Sequence, residues 1–251
     1  MKRIVFFSLS AALLLAVSPF AASASSAGAH LDEANNTLAN TASLQRGAKY
    51  FVNYCLGCHS LKYVRYESLI DDLGISEQQL MENLMFTAEK PTEMMTIAMN
   101  DADAERWFGV APPDLSLTAR SRGTDWIYTY LRSFYLDESR PIGVNNTVLP
   151  NASMPHVLAP LQGYQEAVFE DVVDAEGNHH EEFVRFEAPV GGKLSPEEYD
   201  EVVRDIVNFL EYVSEPVKLE RQALGIGVLT FLLVFFLFAY FLKREYWKDV
   251  H

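Results

Sequence analysis

Five consecutive residues, Cys55-Leu56-Gly57-Cys58-His59, constrain the fold more than any other stretch of the chain. Two cysteines three apart, followed at once by histidine, form the attachment signature of c-type haem. Thiols at this spacing add across the two vinyl groups of a porphyrin, and the adjoining imidazole is then held under the iron as its proximal ligand. Cys55 and Cys58 are the 2 cysteines of the whole sequence, so none remains for a disulfide. A thioredoxin-like dithiol would need a βαβ setting, and a cysteine-rich zinc site a second ligand pair. The sequence offers neither.

Met1 to Ala24 opens with Lys2 and Arg3, continues as an apolar run from Ile4 to Val17 broken only by serines, and ends in the small-residue site Ala22-Ser23-Ala24. Residues 1–24 therefore read as a secretory signal peptide. In a bacterium the destination is the periplasm, where c-type haem is attached. Ala223 to Leu242 forms a second apolar segment, without a charge. At about 1.5 Å per residue it spans roughly 30 Å, the thickness of the hydrocarbon layer. Lys243 and Arg244 follow at once, which places residues 243–251 in the cytoplasm by the positive-inside rule. Tyr240, Tyr246 and Trp247 suit an interfacial belt. The expected topology is a single-pass protein of the bacterial inner membrane, its haem domain periplasmic and its C-terminus cytoplasmic.

Removing Lys2 and Arg3 from the 20 basic residues leaves 18 against 34 acidic ones, a net charge of −16 for the mature chain. Such an excess excludes nucleic acid as a partner and suits either a basic partner or a simply solvated surface. About two hundred residues lie between leader and anchor, enough for one domain with a substantial core.

Within that stretch, residues 25–42 are small and polar and read as a loose lead-in to a domain over 43–216. Leu44, Gly47, Ala48, Phe51 and Val52 recur at helical spacing and run straight into Cys55. Gly47, costly inside a helix, implies close approach to another element, expected to be the last helix of the domain. That helix opens at Ser195-Pro196-Glu197-Glu198, a capping box with proline at the first helical position. Tyr199, Val202, Val203, Ile206, Phe209, Leu210 and Val213 form its apolar face, opposed by Glu201, Arg204, Asp205, Asn208 and Glu211, and it stops before Pro216. Further helices are expected over 75–86, with Leu80, Met81 and Leu84 inward, and over 124–136. Ala111-Pro112-Pro113-Asp114-Leu115 cannot be regular, and this rigid loop, with Pro113, is a candidate wall of the haem pocket. Two alternating runs between Ala167 and Pro189 flank a polar turn and predict a hairpin; His179 and His180 in that turn read as solvated. No internal repeat and no phosphate-binding glycine loop is found.

The iron's sixth position decides between an electron carrier and a haem that binds small molecules. Met81, Met85, Met94, Met95 and Met99 sit in stretches that read as helical, where methionine fills core space. Met154 lies instead in a non-helical segment between Pro150 and Pro155, far downstream of His59. From the residues alone Met154 is the first candidate ligand and His156 the second.

Taken together, the chain resembles the cytochrome c1 family, the haem-bearing subunits of cytochrome bc1 complexes, in its proteobacterial form. The resemblance rests on Arg46-Gly47 before Cys55-x-x-Cys58-His59-Ser60, on Ala111-Pro112-Pro113-Asp114-Leu115-Ser116, and on Ala119-Arg120. It extends to the tract from Asp125 to Arg132, to Met154-Pro155 and to the single C-terminal anchor. It implies a mainly α, cytochrome-c-like haem domain with inserted loops and a small hairpin, plus one C-terminal transmembrane helix. It also implies one covalent haem c with His59 and Met154 as axial ligands, and Arg120 paired with a haem propionate. The implied function is one-electron transfer from the Rieske iron–sulfur protein to cytochrome c, in a dimeric complex with cytochrome b, with no catalytic acid, base or nucleophile on this chain. The residues alone leave two rivals open. One is a membrane-anchored haem enzyme or sensor with an open sixth site; the other is a c-type subunit of another oxidase or dehydrogenase.

Overall fold

The computed structural model describes residues 30–173, 177 and 179–249. The expected signal peptide, residues 1–24, lies outside them, as does part of the hairpin turn. Helix α1 (Thr41–Tyr54) leads into the cysteine motif and strand β1 (Leu61–Arg65) leaves it. Next come α2 (Glu67–Leu73), α3 (Glu77–Asn83), β2 (Met94–Met95), which pairs antiparallel with β1, and α4 (Asp101–Phe108). Beyond the proline loop lie α5 (Thr118–Arg122), α6 (Thr124–Arg132) and the paired strands β3 (Phe134–Leu136) and β4 (Val144–Asn146). Helix α7 (Ala159–Gln162) and β5 (Gly163–Tyr164) follow. Then β6 (Ala167–Val173) pairs antiparallel with β7 (His179–Phe186), as the alternating runs predict, and β8 (Val190–Gly191) pairs back on β5. Helices α8 (Pro196–Ser214) and α9 (Lys218–Tyr246) close the chain. The architecture is mainly helical, and its sheets among the described residues are two-stranded ribbons.

The centre of the domain is the crossing of α1 and α8. Asn40 caps α1 by accepting from the Ser43 amide, and Leu44, Ala48, Phe51 and Val52 are buried on one face. In α8 the Ser195 capping box forms, and Tyr199, Val202, Val203, Ile206, Phe209, Leu210 and Val213 are all buried, the face read from their spacing. Phe51 meets Phe209 with ring centroids 5.6 Å apart. At the crossing a Cβ on Gly47 would lie 2.1 Å from the Asp205 carbonyl oxygen and 2.7 Å from Phe209 Cβ. Only glycine lets the two backbones come this close.

Asp205 and Asn208, assigned by spacing to the outer face of α8, are instead buried. The reason is the lead-in, which is a strap across α6 and α8 and not a loose segment from residue 30 onward. The Asp32 amide donates to Thr129 Oγ1 (2.8 Å), the Ala34 amide to Asp125 Oδ1 (2.9 Å), and Arg204 Nε to the Ala34 carbonyl (2.9 Å). Beneath the strap, Asp205 accepts from Ser43 Oγ at 2.6 Å and from Arg46 Nε and Nη2 at 2.6 and 2.9 Å. Asn208 Nδ2 donates to the Thr37 carbonyl (2.9 Å) and to Ser43 Oγ (3.1 Å). Replacing Asp205 by alanine strands these donors and is expected to cost about 2–4 kcal/mol, with Asp205→Asn milder because it keeps an acceptor. Thermal unfolding of the two variants side by side checks the order.

Other expectations need correcting. The helix expected over 75–86 is the shorter α3, started by a Ser76 capping box. Leu80 and Leu84 are buried as expected, but Met81 points outward and is 46% exposed. The helix expected over 124–136 stops at Arg132, because Phe134 to Leu136 pair with Val144 to Asn146 as a ribbon. Met94 and Met95 lie in β2, not in a helix, and Met99 in no regular element.

Helix α9 is 29 residues long, strongly apolar and without a buried residue. It is long and apolar enough to cross a membrane, and extends past the apolar 223–242 segment at both ends. Only Glu215, Pro216 and Val217 separate it from α8. Ion pairs Lys218–Glu211 and Arg221–Glu215 bridge that junction.

Candidate haem site

Helix α1 ends in the motif through a tight turn. The Cys55 and Leu56 amides both donate to the Phe51 carbonyl (2.8 and 2.9 Å), and the Cys58 and His59 amides both donate to the Cys55 carbonyl (3.0 and 2.9 Å). Cys55 is buried and Cys58 partly so. Burial, with a smaller contribution from Cys58, pushes the Cys55 thiol up to about 12. A redox dithiol relies on the opposite shift at its attacking thiol.

His59 Nδ1 lies 2.7 Å from the Pro113 carbonyl oxygen. A carbonyl only accepts, so Nδ1 carries the proton and Nε2 keeps its lone pair, the tautomer a metal-ligating imidazole requires. Burial lowers the His59 pKa below the usual histidine range, which favours the neutral ring. The loop that supplies the carbonyl is pinned to the residues just after His59. The Leu115 amide donates to the Ser60 carbonyl (3.0 Å), and Asp114 Oδ2 accepts from the Lys62 amide (2.8 Å). Ser116 Oγ accepts from the Tyr63 amide (3.2 Å). Pro113, expected as a pocket wall, thus meets His59 through its backbone oxygen, and Asp114 holds the loop in register.

Met154 is partly buried against the core. Tyr130 Oη, from the last turn of α6, donates to Met154 Sδ at 3.4 Å. The Tyr130 ring stacks on Trp126 (centroids 5.0 Å apart, planes 7° apart) and meets Phe134 edge-on (5.2 Å). Burial pushes its phenol up to about 12, so it stays a donor. Asn146 ties the two segments together: its Nδ2 donates to the Tyr130 carbonyl (2.8 Å), and its Oδ1 accepts from the Val148 and Leu149 amides (2.9 and 3.1 Å). His156, the second candidate ligand, is buried and stacked on Phe134 with centroids 5.1 Å apart. Burial lowers its pKa to about 4, and its Nε2 has no partner among the described residues. Arg120 is exposed on α5 and makes no ion pair or side-chain hydrogen bond among the described residues. Its charge adds to that of Arg221 in holding the Glu215 carboxyl below the usual range.

These donors fit a haem better than a bare metal ion. Among the described residues no group of three His, Cys, Asp or Glu side chains converges as a metal site. One turn instead offers two thiols and an imidazole with its Nε2 lone pair free. Of the polar supports, Asn146 stands in no motif; Asp114 belongs to the proline loop and Tyr130 to the tract from Asp125 to Arg132, but the residues alone give neither of them a partner.

The model of the Cytochrome C1 family matches residues 33–250. The chain belongs to the cytochrome c1 family. Within reach of that family, the cytochrome c1 of Allochromatium vinosum is 55% identical over 240 residues, covering 96% of this chain and 98% of its own length. The ammonia monooxygenase gamma subunit of Nitrosomonas europaea is 45% identical over 251 residues, with full coverage of both chains. The cytochrome c1 of Rhodospirillum rubrum is 27% identical over 228 residues, covering 82% of this chain and 81% of its own length.

Proposed function

We propose that this chain carries one haem c bound through Cys55 and Cys58, with His59 and Met154 as axial ligands of the iron. It passes single electrons from a Rieske iron–sulfur protein to a cytochrome c, as a subunit of a dimeric complex with cytochrome b. The observation that carries the reading is the His59 Nδ1 contact with the Pro113 carbonyl, which leaves Nε2 ready to bind iron. The haem supplies the ferric–ferrous change. The chain's residues hold it, orient the imidazole and exclude water; no acid, base or nucleophile is needed. Arg120 pairs with a propionate in this reading, as a guanidinium fork does with carboxylate; its exposure, and its lack of an ion pair or side-chain hydrogen bond among the described residues, support that role. Helix α9 anchors the domain in the bacterial inner membrane. Lys243 and Arg244 mark its cytoplasmic end, and the haem domain faces the periplasm. The net acidity of the chain suits steering of a basic acceptor.

Met154→Leu tests the ligand set. Losing the thioether is expected to lower the midpoint potential by on the order of 100 mV or more and to remove the ferric thioether absorption band. His156 is the second reading, favoured by its unpartnered buried Nε2. A wild type without the thioether band, and a potential unchanged in Met154→Leu, would move the ligand there. Affinity purification from membranes tests the assembly. Cytochrome b and a Rieske protein in the eluate support the bc1 reading, whereas ammonia monooxygenase subunits, in line with the name of the Nitrosomonas relative, would replace it.

A further inference from the structure

The phenol of Tyr130 is a polar group in an apolar setting. Its ring lies between Trp126 and Phe134, and the residue is 8% exposed. A phenylalanine would fill the same space without the cost of burying a hydroxyl. What the hydroxyl finds there is Met154 Sδ, 3.4 Å away. Its position is fixed from several sides: stacking on Trp126 sets the plane of the ring, and Asn146 holds the Tyr130 carbonyl at 2.8 Å. The same Asn146 side chain organises Val148 and Leu149, on the segment that leads to Met154. Donor and acceptor are thus held by a common support.

We propose that Tyr130 tunes the reduction potential by hydrogen-bonding the sulfur that ligates the iron. The inference rests on Met154 being the axial ligand. A thioether sulfur has two lone pairs. With one on iron, the other remains for the phenol. An O–H donated to that second pair draws electron density from the sulfur and weakens its donation to iron. Ferric iron depends on that donation more than ferrous iron does, so the hydrogen bond favours the reduced state and raises the potential. Tyr130 is a positioning and tuning residue, acting through Met154.

The test is a double-mutant cycle on the full-length holoprotein in membranes, read by redox titration of the haem absorbance. Tyr130→Phe keeps the stacked ring and removes the donor. It is expected to lower the ferrous-to-ferric ratio at fixed ambient potential by roughly twofold to tenfold, the ordinary worth of one hydrogen bond; tenfold is about 59 mV for one electron. In a Met154→Leu background the same substitution is expected to shift the potential far less, since no sulfur remains to accept. Site-specific replacement of Tyr130 by 3-fluorotyrosine, a stronger donor of nearly the same size, is expected to raise the potential. That variant also keeps the test decisive if Tyr130→Phe fails to accumulate. Equal shifts in both backgrounds, or a loss of thermal stability with no change in potential, would overturn the proposal. If Met154→Leu itself changes neither band nor potential, the ligand assignment falls. If Met154→Leu behaves as expected and the Tyr130 variants do nothing, only the tuning role falls.

Discussion

Membranes expressing Cys55→Ala or Cys58→Ala are expected to hold roughly tenfold less mature holoprotein than wild type, or none. A haem joined to Cys55, which is buried in the core, would itself become part of that core. A domain whose apolar lining faces a prosthetic group has its folding free energy coupled to binding that group. The two variants are not expected to be equal. Cys55 is buried at the end of α1 and its amide closes the helix onto Phe51, so alanine there removes a covalent bond and also leaves a void. Cys58 is partly exposed, so its loss costs the bond with little packing. Any surviving protein is expected to hold its haem by one thioether. Its alkaline pyridine spectrum should then be displaced to longer wavelength, because one vinyl group stays conjugated with the ring. Haem-stained gels and that spectrum are the measurements. Normal amounts of doubly linked haem in either variant would sink the assignment.

Gly47→Ala is expected to be strongly destabilising. The added carbon would lie 2.1 Å from the Asp205 carbonyl oxygen, a backbone atom that cannot rotate away, and 2.7 Å from Phe209 Cβ. Helix propensity favours alanine over glycine by about 1 kcal/mol, so the sign depends on the tertiary contact. The contact wins. Relief requires α1 and α8 to part, which loosens Phe51 against Phe209 and the Ser43, Arg46 and Asp205 bonds together. A net loss of about 3 kcal/mol or more is expected, seen as a drop in thermal midpoint of roughly 6–12 °C for a domain this size.

Much of this site was legible in the sequence because its chemistry is local. Cys55, Cys58 and His59 are neighbours in the chain, and the need for close approach at Gly47 shows in a glycine where a helix should avoid one. The amphipathic faces of α1 and α8 follow from spacing alone. What spacing cannot show is which polar residue a distant segment will cover. Asp205 and Asn208 sit at outward positions by periodicity and become interior because residues 32–46 cross over them. The end of α6 was misplaced for a similar reason: Phe134 to Leu136 continue the apolar pattern but find better partners in Val144 to Asn146, a pairing set by a loop several residues on. Tyr130 reads as one more aromatic until Met154, 24 residues later, arrives beside its hydroxyl.

The junction of α8 and α9 has a consequence for how electrons arrive and leave. Three residues and two ion pairs connect the domain to its anchor, so there is little slack for the domain to tumble. With α9 in a bilayer, a haem held by Cys55, Cys58 and His59 would keep to a narrow range of heights above the lipid. Its partners then meet it by lateral and rotational search within a thin layer, at high effective concentration. A longer or glycine-rich joint in place of Glu215-Pro216-Val217 would widen that layer and dilute the encounter.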